Sequence, residues 1–261
     1  MPAMIGFCPL ASGSKGNAIY FGTKKTRILI DAGLSAKAIS ERLQELDVDP
    51  KTLQAILISH EHADHIAGLA VLASRLHIPV LTNAETAKGI IAACGARVRF
   101  KIFATGEPFC FADLEIHPFS IPHDTLDPVA FVIRYGAIKV GICTDIGHVT
   151  SMTRKMLEGC DFLYLESNHQ VSMVHACARP QVYKMRVLGK QGHLSNEECG
   201  KLLQTLYHPG LKHVHLAHLS SECNAPEVAL ASAQASLEGT KVEISIAHQT
   251  KISKAIYFEI E

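Results

Sequence analysis

The order of secondary-structure patterns along this chain predicts an α/β (α+β) fold, with two packed β-sheets and helices on their outer faces. Segments typical of buried strands dominate the beginning of the chain, and neighbouring strands joined by tight turns fill its middle. Strands and helices alternate in the remainder. No linker, long charge block or repeat interrupts the pattern, so we expect a single domain that spans residues 1–261.

The predicted strands are short and rich in Ile, Val, Leu and Phe, as strands buried in a sheet usually are. Several of them end within a few residues of a His or an Asp. The predicted strands cover residues 5–8, 18–22, 27–31, 55–59, 79–82, 114–119, 129–135, 139–143, 162–165, 213–217 and 243–246.

The predicted helices combine apolar periodicity with recognisable start signals. Ser195, with Glu198 three residues later, forms a capping-box pattern, and Asn224 and Pro226 fit the cap and the first turn of another helix. The predicted helices cover residues 36–46, 65–75, 85–94, 150–159, 196–207 and 226–237.

The charge balance excludes a strongly charged surface over the whole molecule. The chain has 25 Lys and Arg against 25 Asp and Glu, so its formal net charge is zero with His neutral. It therefore has no global field that attracts nucleic acid or an anionic membrane. Any anion binding must be local.

Cysteine usage and hydropathy predict a cytoplasmic protein. The eight cysteines include no CxxC pair, which favours free thiols over a disulfide framework or a zinc ribbon. Residues 1–6 lack the basic start and apolar run of a signal peptide. No apolar stretch reaches membrane-spanning length, so we expect no membrane partner.

A dense group of potential metal ligands follows the predicted strand 55–59. His60, His62, Asp64 and His65 lie within six residues. In an extended chain the side chains of His60 and His62 point the same way, so together they can hold one metal. Asp64 and His65 lie where the chain turns into a helix, and they can hold a second metal. The zincin pattern H-E-x-x-H is excluded, because Asp64 occupies its last position.

Three further candidate ligands, His123, Asp145 and His218, each follow a strand-like segment. A polar residue at a strand end is weak evidence alone, since it is often structural. Two metal sites need more than four ligands, however, and these three complete a dinuclear centre. His and Asp ligands without Cys suit Zn²⁺, Mn²⁺ or Fe²⁺, so we expect two divalent ions of one of these kinds.

The motif from His60 to His65, followed by His123, by Asp145 in T-D-x-G and by His218 in A-H-L-S, resembles the metallo-β-lactamase superfamily. Asp31 also resembles the early D-x-G turn of that family. The resemblance implies an αββα sandwich, with two mixed sheets flanked by helices and the site on one edge. It implies that the first metal is held by His60, His62 and His123, that the second is held by Asp64, His65 and His218, and that Asp145 bridges them.

A narrower resemblance covers nearly the whole chain. Segments 10–17, 166–169 and 192–196 look like those of the YycJ/WalJ-like group of bacterial exonucleases. This resemblance implies cleavage of a phosphodiester by metal-bound hydroxide, with Asp64 orienting or deprotonating the attacking water. Glu166 and His193 resemble the pair with which related tRNA-processing phosphodiesterases protonate the leaving oxygen.

Substrate contacts are expected around the metals. The small residues of loop 12–17 can offer backbone N–H groups to an anion, although the same pattern is typical of a tight hairpin. Segment 167–196 has no Asp or Glu but several Lys and Arg, which fits a phosphate track or else a solvated helix face. The predicted substrate-binding residues are Ser12, Ser14, Asn17, His169, Lys184 and Arg186.

Three functions are compatible with these observations. The first is a nuclease that acts on DNA ends, with 5′-to-3′ polarity implied by the resemblance alone. The second is a small-molecule hydrolase of the same fold, acting on a cyclic phosphodiester, a thioester or a lactam. The third, a non-catalytic metal-binding or regulatory protein, is disfavoured by the complete ligand set. The local positive charge favours the nuclease, and the sequence gives no indication of the oligomeric state.

Overall fold

A computed structural model describes residues 4–95 and 98–259 of the chain. Residues 1–3, on which the expectation of no signal peptide partly rests, lie outside the described residues. Within the described segments, no helix is long and apolar enough to cross a membrane.

The first of two mixed sheets contains seven strands among the described residues. These strands are β1 (Gly6–Ala11), β2 (Ala18–Gly22), β3 (Arg27–Ile30), β4 (Ala55–Leu57), β5 (Val80–Thr82), β6 (Phe100–Ile102) and β14 (Ile256–Tyr257). Their order is β14-β1-β2-β3-β4-β5-β6. The pairings are antiparallel from β14 to β3 and parallel from β3 to β6.

The second sheet also has seven strands in the part of the chain that the structure describes. They are β7 (Phe109–Phe111), β8 (Leu114–Ser120), β9 (Val129–Tyr135), β10 (Ile138–Cys143), β11 (Phe162–Glu166), β12 (His213–Ala217) and β13 (Glu243–Ile246). Their order is β13-β12-β11-β10-β9-β8-β7. The pairings are antiparallel from β7 to β10 and parallel from β10 to β13.

Helices cover the outer faces of both sheets. The helices are α1 (Ala36–Glu45), α2 (Ala63–Ile66), α3 (Leu69–Leu76), α4 (Ala84–Cys94), α5 (Ser151–Leu157), α6 (Val171–Ala176), α7 (Gln181–Leu188), α8 (Asn196–Leu206) and α9 (Pro226–Ser236). Apolar residues of α1, α3 and α4 pack on the first sheet, and those of α5, α8 and α9 pack on the second. The predicted αββα sandwich is confirmed.

Period-two alternation along the strands separates the inner core from the outer cores. In β1 and β2, Phe7 and Phe21 face the core between the two sheets, whereas Cys8 and Tyr20 face the core beneath the helices. All four are fully buried. Both faces of the strands are therefore apolar, because each sheet is covered on both sides.

Every predicted strand and helix is present in the structure, with differences at the ends. The predicted helix 65–75 is two helices, because the N–H of Gly68 bonds the carbonyl of Ala32 and interrupts the helical pattern. A Cβ at Gly68 would lie 2.1 Å from the carbonyl oxygen of Leu34, so only glycine allows this close approach. Strands β6, β7 and β14 and helices α6 and α7 were not predicted; β6 and β7 have only three residues each.

The two predicted helix caps have different outcomes. The hydroxyl of Ser195 accepts a hydrogen bond from the N–H of Glu198, as the capping pattern predicts. The predicted cap at Asn224 is wrong, because Ala225 is the cap residue of α9. The Asn224 amide instead donates to the carbonyls of Ser167 and Asn168, at 2.9 and 3.0 Å. Asn224 therefore ties the start of α9 to the loop after β11.

The carboxyl ends of the parallel strands meet at one edge of the sandwich. Asp31 follows β3, Asp145 follows β10 by two residues, and His218 directly follows β12. Glu166 is the last residue of β11. This edge is where ligand sites usually lie in sheets with parallel strands.

Candidate metal centre

The segment after β4 brings four candidate ligands to this edge. His60 and His62 lie in the chain that leaves β4, and His62 is the cap residue of α2. Asp64 and His65 lie in α2 itself, so their side chains leave the helix in other directions. His65 is completely buried, whereas Asp64 retains some exposure. The turn from strand to helix thus divides the motif into two pairs of ligands.

Three histidines form the first half of the centre. One ring nitrogen from each of His60, His62 and His123 lies within 4.8 Å of the others. The Nδ1 atom of His62 is 3.2 Å from the Nε2 atom of His123. Burial lowers the pKa of all three imidazoles, and it holds that of His60 well below its usual range. The three rings are therefore neutral at neutral pH, which is the form that binds a metal.

Asp64, His65 and His218 form the second half of the centre. The Oδ2 atom of Asp64 is 3.7 Å from Nε2 of His65 and 3.6 Å from Nε2 of His218. Burial acts to lower the pKa of His218, but the neighbouring carboxylates of Asp145, Asp64 and Glu166 outweigh it and raise this pKa to about 10. The three carboxylates that surround His218 therefore favour a positive charge at this position.

Asp145 lies between the two halves. Its Oδ1 atom is 3.7 Å from Nε2 of His123 and 3.3 Å from Nδ1 of His218, and its Oδ2 atom is 3.3 Å from Nε2 of His65. Burial acts to raise the pKa of the Asp145 carboxyl, but His218 and His65 outweigh it and hold the pKa well below its usual range. A carboxylate in this position can contact ions in both halves.

A buried hydrogen-bond chain orients two of the imidazoles. The Nδ1 atom of His65 is 2.8 Å from Oδ2 of Asp31, so this ring presents Nε2 to the centre. The Ser59 hydroxyl lies 2.9 Å from the same carboxylate oxygen and 3.0 Å from Nδ1 of His60. The Ser59 N–H also donates to Oδ1 of Asp31, at 2.9 Å. Such a chain fixes both the tautomer and the direction of the ligands.

Glycine is required where the turn after Asp31 meets the metal motif. A Cβ at Gly33 would lie 1.6 Å from the carbonyl oxygen of Asp64. The N–H of Ala32 donates to the carbonyl of His65, and that of Asn17 donates to the carbonyl of Asp64, both at 2.8 Å. The D-x-G turn therefore supports α2 by direct backbone contact.

Glu166 and His193 lie beside the second half. The Oε1 atom of Glu166 is 2.8 Å from Nδ1 of His193 and 3.0 Å from Nδ1 of His218. Burial acts to raise the pKa of Glu166, but His193 and His218 outweigh it and lower this pKa. The ionised carboxylate therefore accepts from both Nδ1 atoms, and each ring keeps its Nε2 for another partner.

The orphaned polar atoms of the centre fit a divalent metal. Nε2 of His60, Nε2 of His218 and Oδ2 of Asp145 are buried and have no hydrogen-bond partner among the described residues. An unsatisfied buried polar atom costs about 1–3 kcal/mol. All three atoms are of the types that bind Zn²⁺, Mn²⁺ or Fe²⁺, and they point into the same cluster. The chain thus provides a site for divalent metal ions.

The predicted substrate-binding residues of the first loop lie partly behind the metal centre. The Ser12 hydroxyl is buried and accepts hydrogen bonds from the N–H of His218, at 2.8 Å, and the hydroxyl of Tyr164, at 2.6 Å. The amide nitrogen of Asn17 is 3.2 Å from Oδ2 of Asp64 and 2.9 Å from Nε2 of His65. Both residues thus contact the ligands, whereas Ser14 is exposed to solvent.

The remaining predicted substrate contacts lie on the segment after β11. His169 is buried, and burial lowers its pKa to about 4. The ammonium group of Lys184 donates to the carbonyl of His175 at 2.7 Å. The guanidinium of Arg186 donates from Nε to Oδ2 of Asp124, at 2.6 Å, and from Nη2 to Oδ1, at 3.2 Å. Asp124, which lies outside segment 167–196, thus partly neutralises the positive charge of that segment.

Sequence reasoning missed two residues of the site. Ser59 is one of them, and no feature of the sequence distinguishes it from an ordinary strand residue. Asp124 is the other: its Oδ1 atom is 3.5 Å from Nε2 of His123 and 3.7 Å from Nε2 of His62. Its position directly after a predicted ligand is the signal that could have identified it.

Comparisons with known proteins agree with this geometry. Residues 26–218 match the model of the beta-lactamase superfamily domain. The chain is 34% identical over 235 residues to the exodeoxyribonuclease YycJ of Bacillus anthracis, covering 89% of each protein. It is also 34% identical over 225 residues to the exodeoxyribonuclease WalJ of Streptococcus pneumoniae (strain D39), covering 84% of this chain and 83% of that protein.

A solved structure shows the same fold. The metallo-beta-lactamase fold protein YhfI from Bacillus subtilis superposes with a TM-score of 0.73, covering 95% of this chain and 98% of that one. The sequence identity is 17%, so what the two proteins are shown to share is the fold.

Proposed function

We propose that this chain, which belongs to the metallo-β-lactamase superfamily, is a two-metal exonuclease that degrades DNA from a 5′ end. It is a metal-dependent hydrolase of the YycJ-like type, as the family match and the two relatives at 34% identity indicate. The observation that carries the proposal is that both relatives are named exodeoxyribonucleases and match most of the chain. The 5′-to-3′ polarity follows from the resemblance to the YycJ/WalJ-like exonucleases.

The proposed ligands divide between two ions. His60, His62 and His123 would hold the first ion, and Asp64, His65 and His218 the second, with Asp145 in contact with both. Zn²⁺ suits this donor set, and Mn²⁺ or Fe²⁺ suit it nearly as well. When bound, such ions supply Lewis-acid stabilisation of the phosphoryl charge and an activated water.

The residues of this chain have distinct proposed roles in the reaction. Asp64, with one oxygen near both His65 and His218, orients the attacking water and accepts its proton. His193 delivers a proton from Nε2 to the leaving oxygen, because its Nδ1 faces the ionised Glu166. Glu166 thereby holds the imidazole in place and balances its charge when it is protonated.

The experiment is a substrate panel with matched metals. Purified protein is stripped of metal, reconstituted with Zn²⁺, Mn²⁺ or Fe²⁺, and incubated with DNA labelled at either the 5′ or the 3′ end. Nitrocefin, S-lactoylglutathione and bis-p-nitrophenyl phosphate are assayed in parallel. An Asp64→Asn variant, purified identically, controls for contaminating nucleases.

We expect rapid release of the 5′ label as mononucleotides and late release of the 3′ label. Release of the 3′ label first would reverse the proposed polarity. Hydrolysis of the thioester or the lactam, with DNA left intact, would replace the nuclease with a small-molecule hydrolase of the same fold.

A further inference from the structure

An open groove of ≈ 370 Å³ lies beside the metal centre. It is lined by Asp124, by Met185 and Arg186 of α7, and by the turn 189–192. The groove lies next to the proposed ligands, because the carbonyl of Gly192 accepts a hydrogen bond from Nδ1 of His123, at 3.1 Å. A chain bound at the metals can therefore continue into this groove.

Two of the segments that line the groove are held together, because the turn 189–192 packs directly on the end of α7. The N–H of His193 donates to the carbonyl of Val187 at 3.1 Å. A Cβ at Gly192 would lie 2.1 Å from the carbonyl oxygen of Arg186, so the two segments are in close backbone contact. The same short segment thus fixes both Arg186 and the proposed proton donor His193.

The Arg186 guanidinium has N–H donors that its contact with Asp124 does not use. Its fork on Asp124 uses two of the five N–H donors of a guanidinium. The other donors have no hydrogen-bond partner among the described residues, and the side chain is 54% exposed. A planar fork of this kind matches the oxygens of a phosphate better than an ammonium group does.

Asp124 connects this arginine to the metal centre. Its Oδ1 atom accepts from Arg186 and lies 3.5–3.7 Å from the Nε2 atoms of His123 and His62. The carboxylate therefore holds the guanidinium at a set distance from two proposed ligands. Holding a long side chain in place before binding reduces the entropy that binding must remove.

We propose that Arg186 binds a backbone phosphate that neighbours the scissile phosphodiester, and that Asp124 is the residue that positions Arg186 for this contact. The inference rests on the proposed function in taking nucleic acid as the substrate. Arg179 provides a matched comparison, because it is 51% exposed and forms a similar fork with Glu222, but does not line the groove.

The test measures binding of the metal-loaded full chain to modified single strands. Every linkage of the fluorescent oligonucleotide is a methylene phosphonate, which keeps its charge and resists hydrolysis. One linkage at a time is then replaced by a neutral methylphosphonate, and Kd is measured by fluorescence anisotropy. In the wild type we expect one position near the cleaved end to weaken binding roughly 10–100-fold, the effect of losing a charge-assisted hydrogen bond.

The Arg186→Ala variant should lose that position-specific penalty, so that its Kd changes less than about twofold on the same replacement. The Arg179→Ala variant should retain the penalty. Equal penalties in the wild type and in Arg186→Ala would overturn the proposed contact. Loss of the penalty in Arg179→Ala as well would also overturn it, because the effect would then be one of general charge.

The Asp124→Asn variant tests positioning apart from charge. It removes a negative charge from the groove, which acts to strengthen binding, and it releases Arg186, which acts to weaken it. The readout is therefore the position-specific penalty, which should shrink below about threefold. A full penalty in Asp124→Asn would refute the positioning role.

Hydrolysis of unmodified DNA separates this inference from the proposed function. No hydrolysis, with the Arg186-dependent penalty intact, would refute the nuclease and keep the phosphate contact. Hydrolysis of DNA without any position-specific penalty would refute the contact and keep the nuclease.

Discussion

Replacing His193 with alanine tests the proposed proton transfer most directly. In the structure the Nδ1 atom of His193 is 2.8 Å from the fully buried carboxylate of Glu166, which fixes the ring. The side chain of His193 is 15% exposed, so it lies at the open side of the metal centre. Its Nε2 atom, on the far edge of the ring from Glu166, is therefore free to meet a substrate.

The size of the effect follows from this geometry. Delivery of a proton by a positioned side chain contributes roughly 10²–10⁴-fold to a rate. At about 1.36 kcal/mol for each factor of ten, this is a loss of about 2.7–5.4 kcal/mol of transition-state stabilisation. The loss should be largest for DNA, whose alkoxide leaves poorly without a proton. It should be much smaller for bis-p-nitrophenyl phosphate, because p-nitrophenolate departs without protonation.

The assay compares kcat on both substrates and the metal content of each protein. His148→Ala is the matched control, because His148 is an exposed histidine that bonds the carbonyl of Lys190 at 2.9 Å. His193→Ala should retain the metals of the wild type. A DNA rate within about threefold of wild type would refute the acid role. Loss of metal would show that His193 is a ligand, since one of its nitrogens lies within 4.8 Å of ligand atoms from Asp145 and His218.

Three further changes test the support of the site and the core. Asp31→Asn should weaken metal binding roughly 10–100-fold in a chelator competition, because it turns one of the two carboxylate oxygens that accept from Ser59 and His65 into an amide donor; unchanged affinity would refute that role. Gly33→Ala should lower the Tm and the metal content together, since its Cβ would meet the carbonyl oxygen of Asp64 at 1.6 Å; a normal Tm would contradict the contact. Burial lowers the pKa of His213 to about 4 and that of His215 to about 3. Both stay neutral when folded but take up protons when unfolded below about pH 6.5, so the free energy of unfolding falls as the pH drops from about 6.5 towards about 4, by up to about 1.4 kcal/mol per pH unit for each histidine. Urea titrations of wild type and His215→Gln over this range should differ in slope by about that amount, and equal slopes would refute the assignment to His215.

The sequence predicted the sheets well because their strands have a simple pattern. Strands buried on both faces appear as short apolar runs, and every such run that was predicted is a strand. Edge strands such as β6 and β7 have three residues each and mostly exposed or half-buried side chains, so they give no clear pattern. Helices α6 and α7 have few buried residues, and α7 buries only Val187 among its eight residues. Amphipathic periodicity is therefore nearly absent from them.

The candidate site was predictable to the extent that its residue types are unusual. His and Asp at successive strand ends are rare enough to indicate a metal centre, and the structure brings all of the predicted ligands together. Their support was not predictable, because Ser59 and Asp124 are ordinary residues that act through three-dimensional neighbours. The charge of segment 167–196 was not predictable for the same reason. Its Arg186 pairs with Asp124, which lies 62 residues earlier in the chain.

Backbone strain explains how the strand ends direct their side chains inward. Asp31, Asp145 and His218 have φ values of 58°, 59° and 54°, in the left-handed region that non-glycine residues rarely adopt. Each such conformation costs about 1–3 kcal/mol unless its surroundings compensate. Here each strained residue is held by its side chain: Asp31 by Ser59 and His65, and His218 by Glu166. Asp145 lies among His65, His123 and His218.

The left-handed conformation also directs the chain at the strand ends. Because a left-handed residue reverses the direction of the chain near the end of a strand, it lets the next segment leave the sheet while its own side chain faces the centre. The other left-handed non-glycine residues among the described residues, Asp47, His77 and Ala112, lie in turns or at a helix end. At Asp31, Asp145 and His218, by contrast, glycine would relieve the strain but remove the functional group, so the geometry of the site determines the residue at these three positions.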